Sequence, residues 1–438
     1  MHPPSEPRPA EVPAANPLFS RHHADPLVPQ PRPDAGSSHR TAVPPYPPPL
    51  RVLVAPDSFK GSLTAQQAAS AMARGVARGW PGAAVVTLPL ADGGEGTAAA
   101  LVEATGGRWF VRRVTGPLGD PVEARWALLG DGRTAVIEMA AASGLLLVPP
   151  DRRRPLDATS SGTGELIRDA LDHGCRRLLV AIGGSATTDG GTGMLAALGA
   201  RFLDAAGAPL PPGGGPLQRL ARIDLGGLDP RLAETAIEVA CDVDNPLTGP
   251  RGAARVYAPQ KGATPEQVEA LEAGLLRLAD VAARTLGRDL RDEPGAGAAG
   301  GLGFALLAFL GARLRPGAEL VMDAVGFDRH LERADLVLTG EGRTDAQTLA
   351  GKLVARVADR CRARGRPVVV ISGAVDPAVE PALRQRGVAA LLAATPAPMP
   401  PDQAMARAAV HLEVAATTAL RLLHLGTRFG PGPRPRGG

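Results

Sequence analysis

Acidic residues and glycines recur together at a few places in this chain. LADGGEGT carries Asp92 and Glu95 between glycines, and AIGGSATTDGG carries Gly183, Gly184, Ser185 and Asp189. CDVDNPLTGP supplies Asp242, Asp244 and Asn245, and TGEGRTDAQT supplies Glu341, Arg343 and Asp345. Two more glycine-rich stretches, SSGTGELI (160–167) and GAGAAGGLG (295–303, with Gly297, Gly300 and Gly301), open helical patterns. Backbone N–H groups freed by glycine at a helix start attract anions. Carboxylates beside a bound phosphate suit Mg²⁺, which takes one or two of them together with phosphate oxygens. Any one of these loops also reads as a tight turn, and Asp242 and Asp244 also read as caps of the segment that follows. Their repetition favours phosphate chemistry over a passive fold.

Lysine is a second signal. Among 48 basic residues only Lys60, Lys261 and Lys352 are not arginine. Each adjoins a glycine, in SFKGS, PQKGAT and LAGKLV. Lysine ends in a compact point charge on a thin stem, whereas arginine presents a broad planar fork. A crowded site where one phosphoryl or carboxylate oxygen is met end-on therefore suits lysine. The plain alternative is three accidental survivors of codon drift.

Such loops need a scaffold that brings them together. RVLVAPDS is a short apolar run bounded by proline and reads as a buried strand. SLTAQQAASAMARGVARGW follows with helical spacing behind a Ser/Thr start. The alternation returns at VVTLPL, RRLLVAI, IEVACDV, ADLVLTG and RPVVVISG, each an apolar run ending in a loop rich in Gly and Asp. This is the pattern of an α/β protein with largely parallel sheets, in which ligands bind at the carboxyl ends of strands. Residues 108–140 instead carry strand-like runs separated by the turn signals PLGDP and GDG. We read them as part of a second domain inserted into the first.

Composition narrows the function. Apolar residues are 44% and aromatics 3%, so the core must be built from Leu, Val, Ala and Ile. A net charge of +4 and so few aromatics argue against a nucleic-acid partner. Cys175, Cys241 and Cys361 are far apart and form no CxxC, which fits a reduced cytoplasmic protein with no disulfide framework and no zinc site. No apolar run approaches the roughly 18 residues of a membrane span, and the N-terminus shows no signal peptide. GxxxxGK[ST] is absent, so a P-loop is excluded. GAGAAG matches GxGxxG but follows RDEP instead of a strand, and the dinucleotide reading fails on that context. Proline dominates residues 1–50, which hold half of the histidines. Such a segment buries too little apolar surface to offset ordering entropy, so we expect a disordered arm. A start codon assigned too early is the other reading. GPGPRPRGG closes the chain as a tail.

Eight motifs, in order over about residues 51–425, closely resemble the bacterial glycerate kinase family of the type whose product is 2-phosphoglycerate: APDSFKGSL, ADGGEGT, TSSGTGELI, GGSATTDGG, CDVDNPLTGPRGA, PQKGAT, GAGAAGGLG and TGEGRTD. The resemblance implies ATP- and Mg²⁺-dependent phosphorylation of D-glycerate. It also implies two α/β domains with a cleft between them, one of them discontinuous. We accordingly expect a Rossmann-like parallel-sheet domain over 51–90 and 290–425, an inserted mixed-sheet α/β domain over 91–289, and a tail over 426–438. On this reading Asp189 is the base or orienting carboxylate, with Asp345 the second candidate. Lys60 and Arg343 would neutralise the moving phosphate or the glycerate carboxylate. Asp92, Glu95 and Asp242 would hold Mg²⁺. Gly183, Gly184, Ser185, Gly297, Gly300 and Gly301, with Lys261 and Lys352, would hold the nucleotide. Two departures stand out: Thr188 where the family usually has Asn, and GKLVARVA (351–358) where it tends to read GKAPxGVA. Three alternatives stay open: a kinase for another small hydroxy acid, one giving 3-phosphoglycerate, and a non-catalytic small-molecule sensor, against which the intact acidic loops argue.

Overall fold

A computed structural model describes residues 49–94 and 96–428. The arm expected over 1–50 falls almost wholly outside them, as do Glu95 and all but the first residues of the expected tail; 426–428 complete the last helix, Ala408–Arg428. The chain first forms β1 (Arg51–Val54) and β2 (Ala84–Thr87). It then builds β3 (Arg108–Thr115), β4 (Pro121–Leu128), β5 (Thr134–Glu138), β6 (Arg177–Ala181), β7 (Ala236–Ala240) and β8 (Arg313–Arg315). Finally it forms β9 (Leu336–Thr339), β10 (Val368–Ser372) and β11 (Val388–Ala393).

Two sheets result. The first is five-stranded and parallel throughout, in the spatial order β11-β10-β9-β1-β2. Counted within this sheet, the order is 2-1-3-4-5, a doubly wound arrangement whose direction reverses between β1 and β9. Alternation along the strands explains the winding. Val52 and Val54 pack with the helix Ala65–Gly79 and the last helix, whereas Leu53 and Val337 pack with the helix Leu353–Ala363 on the opposite face. The helix after β1 starts at a Thr64–Gln67 capping box, in which each side chain takes the other's backbone N–H.

The second sheet is six-stranded and mixed, in the order β8-β7-β6-β5-β4-β3, with β3, β4 and β5 antiparallel and the rest parallel. One face is covered by the helices Ser161–Asp172, Pro265–Leu286 and Ala298–Leu310. The other sends Ala127, Val136, Leu179, Ala181 and Ala240 into the same apolar layer that receives Leu53 and Val337. The two sheets therefore share a buried layer. β8 pairs with β7 in register Arg313↔Glu238. Residues up to 315 thus serve the mixed sheet, and we propose a domain boundary near 316 in place of 290. Among the described residues no helix is long and apolar enough to cross a membrane, and Cys175, Cys241 and Cys361 are all unpaired.

Candidate active site

The carboxyl ends of β1 and β9 lie side by side at the reversal point, where a doubly wound sheet binds ligands. Three adjoining cavities open there, of about 960, 770 and 410 Å³, and Lys60 and Asp92 line all three. Lys60 projects from a tight turn in which the Phe59 N–H donates to Leu63 O at 2.8 Å and the Ser62 N–H donates to Phe59 O at 2.8 Å. Buried Phe59 anchors this turn and leaves the lysine exposed. Asp92 accepts from the Gly94 N–H at 3.1 Å.

Further carboxylates converge on the same space. Asp57, just past β1, lines the two larger cavities and accepts from the Ser58 N–H at 2.6 Å. Burial, and then the charges of Asp92 and Glu341, push its pKa up to about 7 against the pull of the Ser58 N–H and Lys60. Glu341, just past β9, accepts from Thr348 Oγ1 at 2.6 Å; burial raises its pKa too. Asp242 lines the smallest cavity and accepts from the Gly317 N–H at 3.0 Å; burial raises its pKa first, and the Asp92 charge adds to it. Sequence reasoning missed Asp57 although it stands in APDSFKGS beside Lys60. The signal was its place immediately after a buried strand.

Arg343, Asp345 and Lys352 line the largest cavity. Asp345 caps the short helix Ala346–Leu349 through the Gln347 N–H at 2.9 Å and lies 3.3 Å from Arg343 Nε. Lys352 starts the helix Leu353–Ala363 and donates to Gln347 Oε1 at 2.9 Å, so GKLVARVA continues directly into a helix. Gly183, Gly184 and Ser185 line the smallest cavity, and the two glycines are exposed.

Other expected residues point elsewhere. Asp189 is wholly buried. It accepts from the Ser160 N–H and Ser160 Oγ, both at 2.8 Å, and from the N–H groups of Gly191 and Gly193 at 3.0 and 3.2 Å. Burial raises its pKa, and those four donors oppose the rise. A carboxylate held in this way ties loop 183–193 to the start of the Ser161–Asp172 helix. Gly297, Gly300 and Gly301 are likewise buried. The Gly297 N–H donates to Asn245 O at 2.9 Å, and the Gly301 N–H to Gly297 O at 3.4 Å. Gly300 has φ +69°, and a Cβ on it would stand 2.0 Å from Thr187 O. These glycines let two loops pack backbone to backbone. Ala298 and Ala299 line the cavity in their place.

Lys261 sits beneath the 183–187 loop. It is buried, and its Nζ donates to Ser185 Oγ at 2.8 Å and to Thr187 O at 2.6 Å. Burial lowers its pKa to about 7, opposed by the Asp189 charge. Thr188, at the first departure from the family pattern, is buried with Oγ1 unpartnered. Among the described residues no three His, Cys, Asp or Glu side chains form a metal-binding group.

The model of the "Glycerate kinase family" matches residues 52–424. A "Glycerate kinase" of Bacillus subtilis is 52% identical over 364 residues, 83% of this chain and 95% of the relative. A "Glycerate 2-kinase" of Escherichia coli is 49% identical over 326 residues, 74% of this chain and 86% of the relative. A crystal structure of a Salmonella typhimurium protein assigned as glycerate kinase 2 superposes with a TM-score of 0.80 at 49% identity, covering 87% of this chain and all of that one. A match of this extent, on a chain whose cleft gathers a lysine and several carboxylates at the reversal point of a doubly wound sheet, makes it a kinase enzyme that belongs to the glycerate kinase family.

Proposed function

We propose that this chain transfers the γ-phosphoryl group of ATP to D-glycerate, with Mg²⁺, and gives 2-phosphoglycerate. The observation that carries the reading is the position of Lys60 and Asp92, shared by all three cavities. Two substrates that meet at one point need a cation for the moving phosphoryl and a carboxylate beside it. Phosphoryl transfer draws mainly on positioning and charge neutralisation. Lys60 meets the phosphoryl oxygens. Asp57, shielded from water and facing the two larger cavities, orients the attacking hydroxyl and takes its proton. Asp189 is a positioning residue that fixes the loop carrying Gly183 and Gly184, and those glycines offer N–H groups to phosphate. Arg343, Asp345 and Lys352 form the rim of the nucleotide side.

The donor set fits Mg²⁺. Asp92 and Asp242 supply hard carboxylate oxygens, and the Asp92 charge is felt at Asp242. Two carboxylates with phosphate oxygens completing the shell suit this ion better than a closed protein cage. Mg²⁺ bound there would neutralise the phosphate charge that builds up in transfer. The name of the Escherichia coli relative supports the 2-phosphoglycerate product, and the unpaired cysteines support a cytoplasmic enzyme.

Coupled detection of ADP with D-glycerate, ATP and Mg²⁺ tests the activity. NMR of the product separates the 2- from the 3-phosphate. Absence of ADP formation would end the kinase assignment of these substrates, and turnover of another small hydroxy acid in preference to D-glycerate would move the specificity.

A further inference from the structure

The largest cavity extends well beyond the cations that receive phosphate. Its volume of about 960 Å³ is at the upper end of small-molecule pockets and far exceeds what a three-carbon acid fills. From Lys60, Arg343 and Lys352 it runs past the ends of β10 and β11 to an apolar chamber walled by Phe59, Met399, Met405 and Leu412. His411, from the last helix, lines this chamber. Its residue is only 9% exposed, and its Nδ1 has no hydrogen-bond partner. That nitrogen is closed to the chamber, so the other ring nitrogen, Nε2, is the one left to meet a ligand. A neutral imidazole either donates or accepts at that nitrogen, which complements a polar atom on the in-plane edge of a heterocyclic base.

We infer that this chamber seats the base of a purine nucleoside triphosphate, with His411 pairing to the base edge and the triphosphate running out along Lys352 and Arg343 to Lys60. The inference rests on the kinase reading above and assigns its two substrates to sides. The apolar end suits a flat aromatic ring, and the cationic end suits a polyanion. The cavity of about 770 Å³, lined by Asp57, Lys60 and Asp92, then receives the hydroxy acid from the other side of Lys60. One end of each substrate lies against the residues shared by the cavities, as in-line transfer requires.

Two variants test it. His411→Phe keeps the ring and removes both nitrogens. Met405→Trp, at a partly exposed wall position, fills the chamber and adds a fluorophore where no tryptophan lies. The probes are a non-hydrolysable ATP analogue and inorganic tripolyphosphate, titrated calorimetrically against the full chain. His411→Phe is expected to weaken the ATP analogue about tenfold, the scale of one buried hydrogen bond left unmade. Met405→Trp is expected to weaken it at least as much, with a change in tryptophan emission on binding. Neither variant should shift tripolyphosphate affinity or the KM for D-glycerate by more than about twofold, a change well within one tenfold step. Unchanged affinity for the analogue in both variants would overturn the assignment, as would a raised KM for D-glycerate or equal losses for analogue and tripolyphosphate. ADP formation by the unsubstituted chain is scored separately, so loss of this inference and loss of the kinase reading give different results.

Discussion

Burial of Lys261 makes the stability of this protein depend on pH in a direction that can be worked out. The residue is 2% exposed and its pKa falls from 10.5 to about 7. In the unfolded chain a lysine keeps its proton up to about pH 10.4. Between about 7 and 10.5 the unfolded state therefore holds a proton that the folded state has released, and stability rises with pH through that window. Below it both states are protonated, and the penalty for burying the cation is constant. One pH unit corresponds to about 1.36 kcal/mol, so raising the pH from 7 to 9 should add roughly 2 kcal/mol, allowing for partial protonation at the lower end. The assay is urea unfolding at both pH values for the parent and Lys261→Met. Other groups that titrate in this range are common to both chains, so the difference isolates Lys261. The parent should gain about 2 kcal/mol more than the variant. Lys261→Arg should be less stable than either, by on the order of 3 kcal/mol, because guanidinium cannot release its proton and leaves a permanent charge in the same space. Superimposable pH profiles of parent and Lys261→Met, or an arginine variant as stable as the parent, would refute the argument.

Lys60→Arg should lower turnover at least about tenfold with unchanged thermal stability, because the wider fork must enter a space set by the tight turn after Phe59; parent-like turnover would make this lysine incidental. Asp57→Asn keeps the shape and the contact with the Ser58 N–H, and turnover should fall by a factor on the order of 10²–10⁴; a small change would pass the hydroxyl to Asp92. Gly300→Ala should destabilise the fold by at least about 2 kcal/mol through a forced loop shift, read as a lower unfolding midpoint, and an unchanged midpoint would show that the loops can separate. Excess EDTA should stop turnover and Mg²⁺ or Mn²⁺ restore it; full activity in EDTA would remove the metal from the reaction.

What could be read from the sequence divides along physical lines. β1, β6, β9 and β10 are visible because buried parallel strands are continuous apolar runs, and the loops after β1, β2, β6, β7 and β9 deliver Lys60, Asp92, Gly183 with Ser185, Asp242, and Arg343 with Asp345 to the cleft. β8 was invisible: it is the three residues RLR, with arginine at both ends, and joins its sheet only by pairing with β7. The burial of Asp189 is illegible in the sequence for a deeper reason. A carboxylate between glycines has the same local sequence whether it faces outward or inward, and here Ser160, on a different element, turns it in. Gly300 and Gly301 are ambiguous in the same way, since a glycine needed for contact with a phosphate and one needed for contact with another loop look alike. His411 carries no sequence signal at all, being one of two histidines on an amphipathic helix. Local chemistry names the groups available, whereas the partner across space decides which of them reach the ligand.

The three lysines show where the sequence signal had a backbone cause. The glycine beside each one is left-handed: Gly61 at φ +78°, Gly262 at φ +94° and Gly351 at φ +101°. Residues with a side chain rarely adopt that conformation, so each pair marks a tight turn that glycine permits. Tight turns crowd backbone around the residue they present, and a slender cation fits such a place where a planar fork does not. Codon drift would scatter surviving lysines without regard to the cleft. Instead Lys60 lines all three cavities, Lys261 the smallest and Lys352 the largest. Their environments nevertheless differ, and so must the reasons for keeping them. Lys60 is exposed and free to meet an anion, Lys352 is tethered to Gln347 at the rim, and Lys261 is buried under Ser185. For the buried one alone, the ability to give up a proton separates lysine from arginine more sharply than shape does.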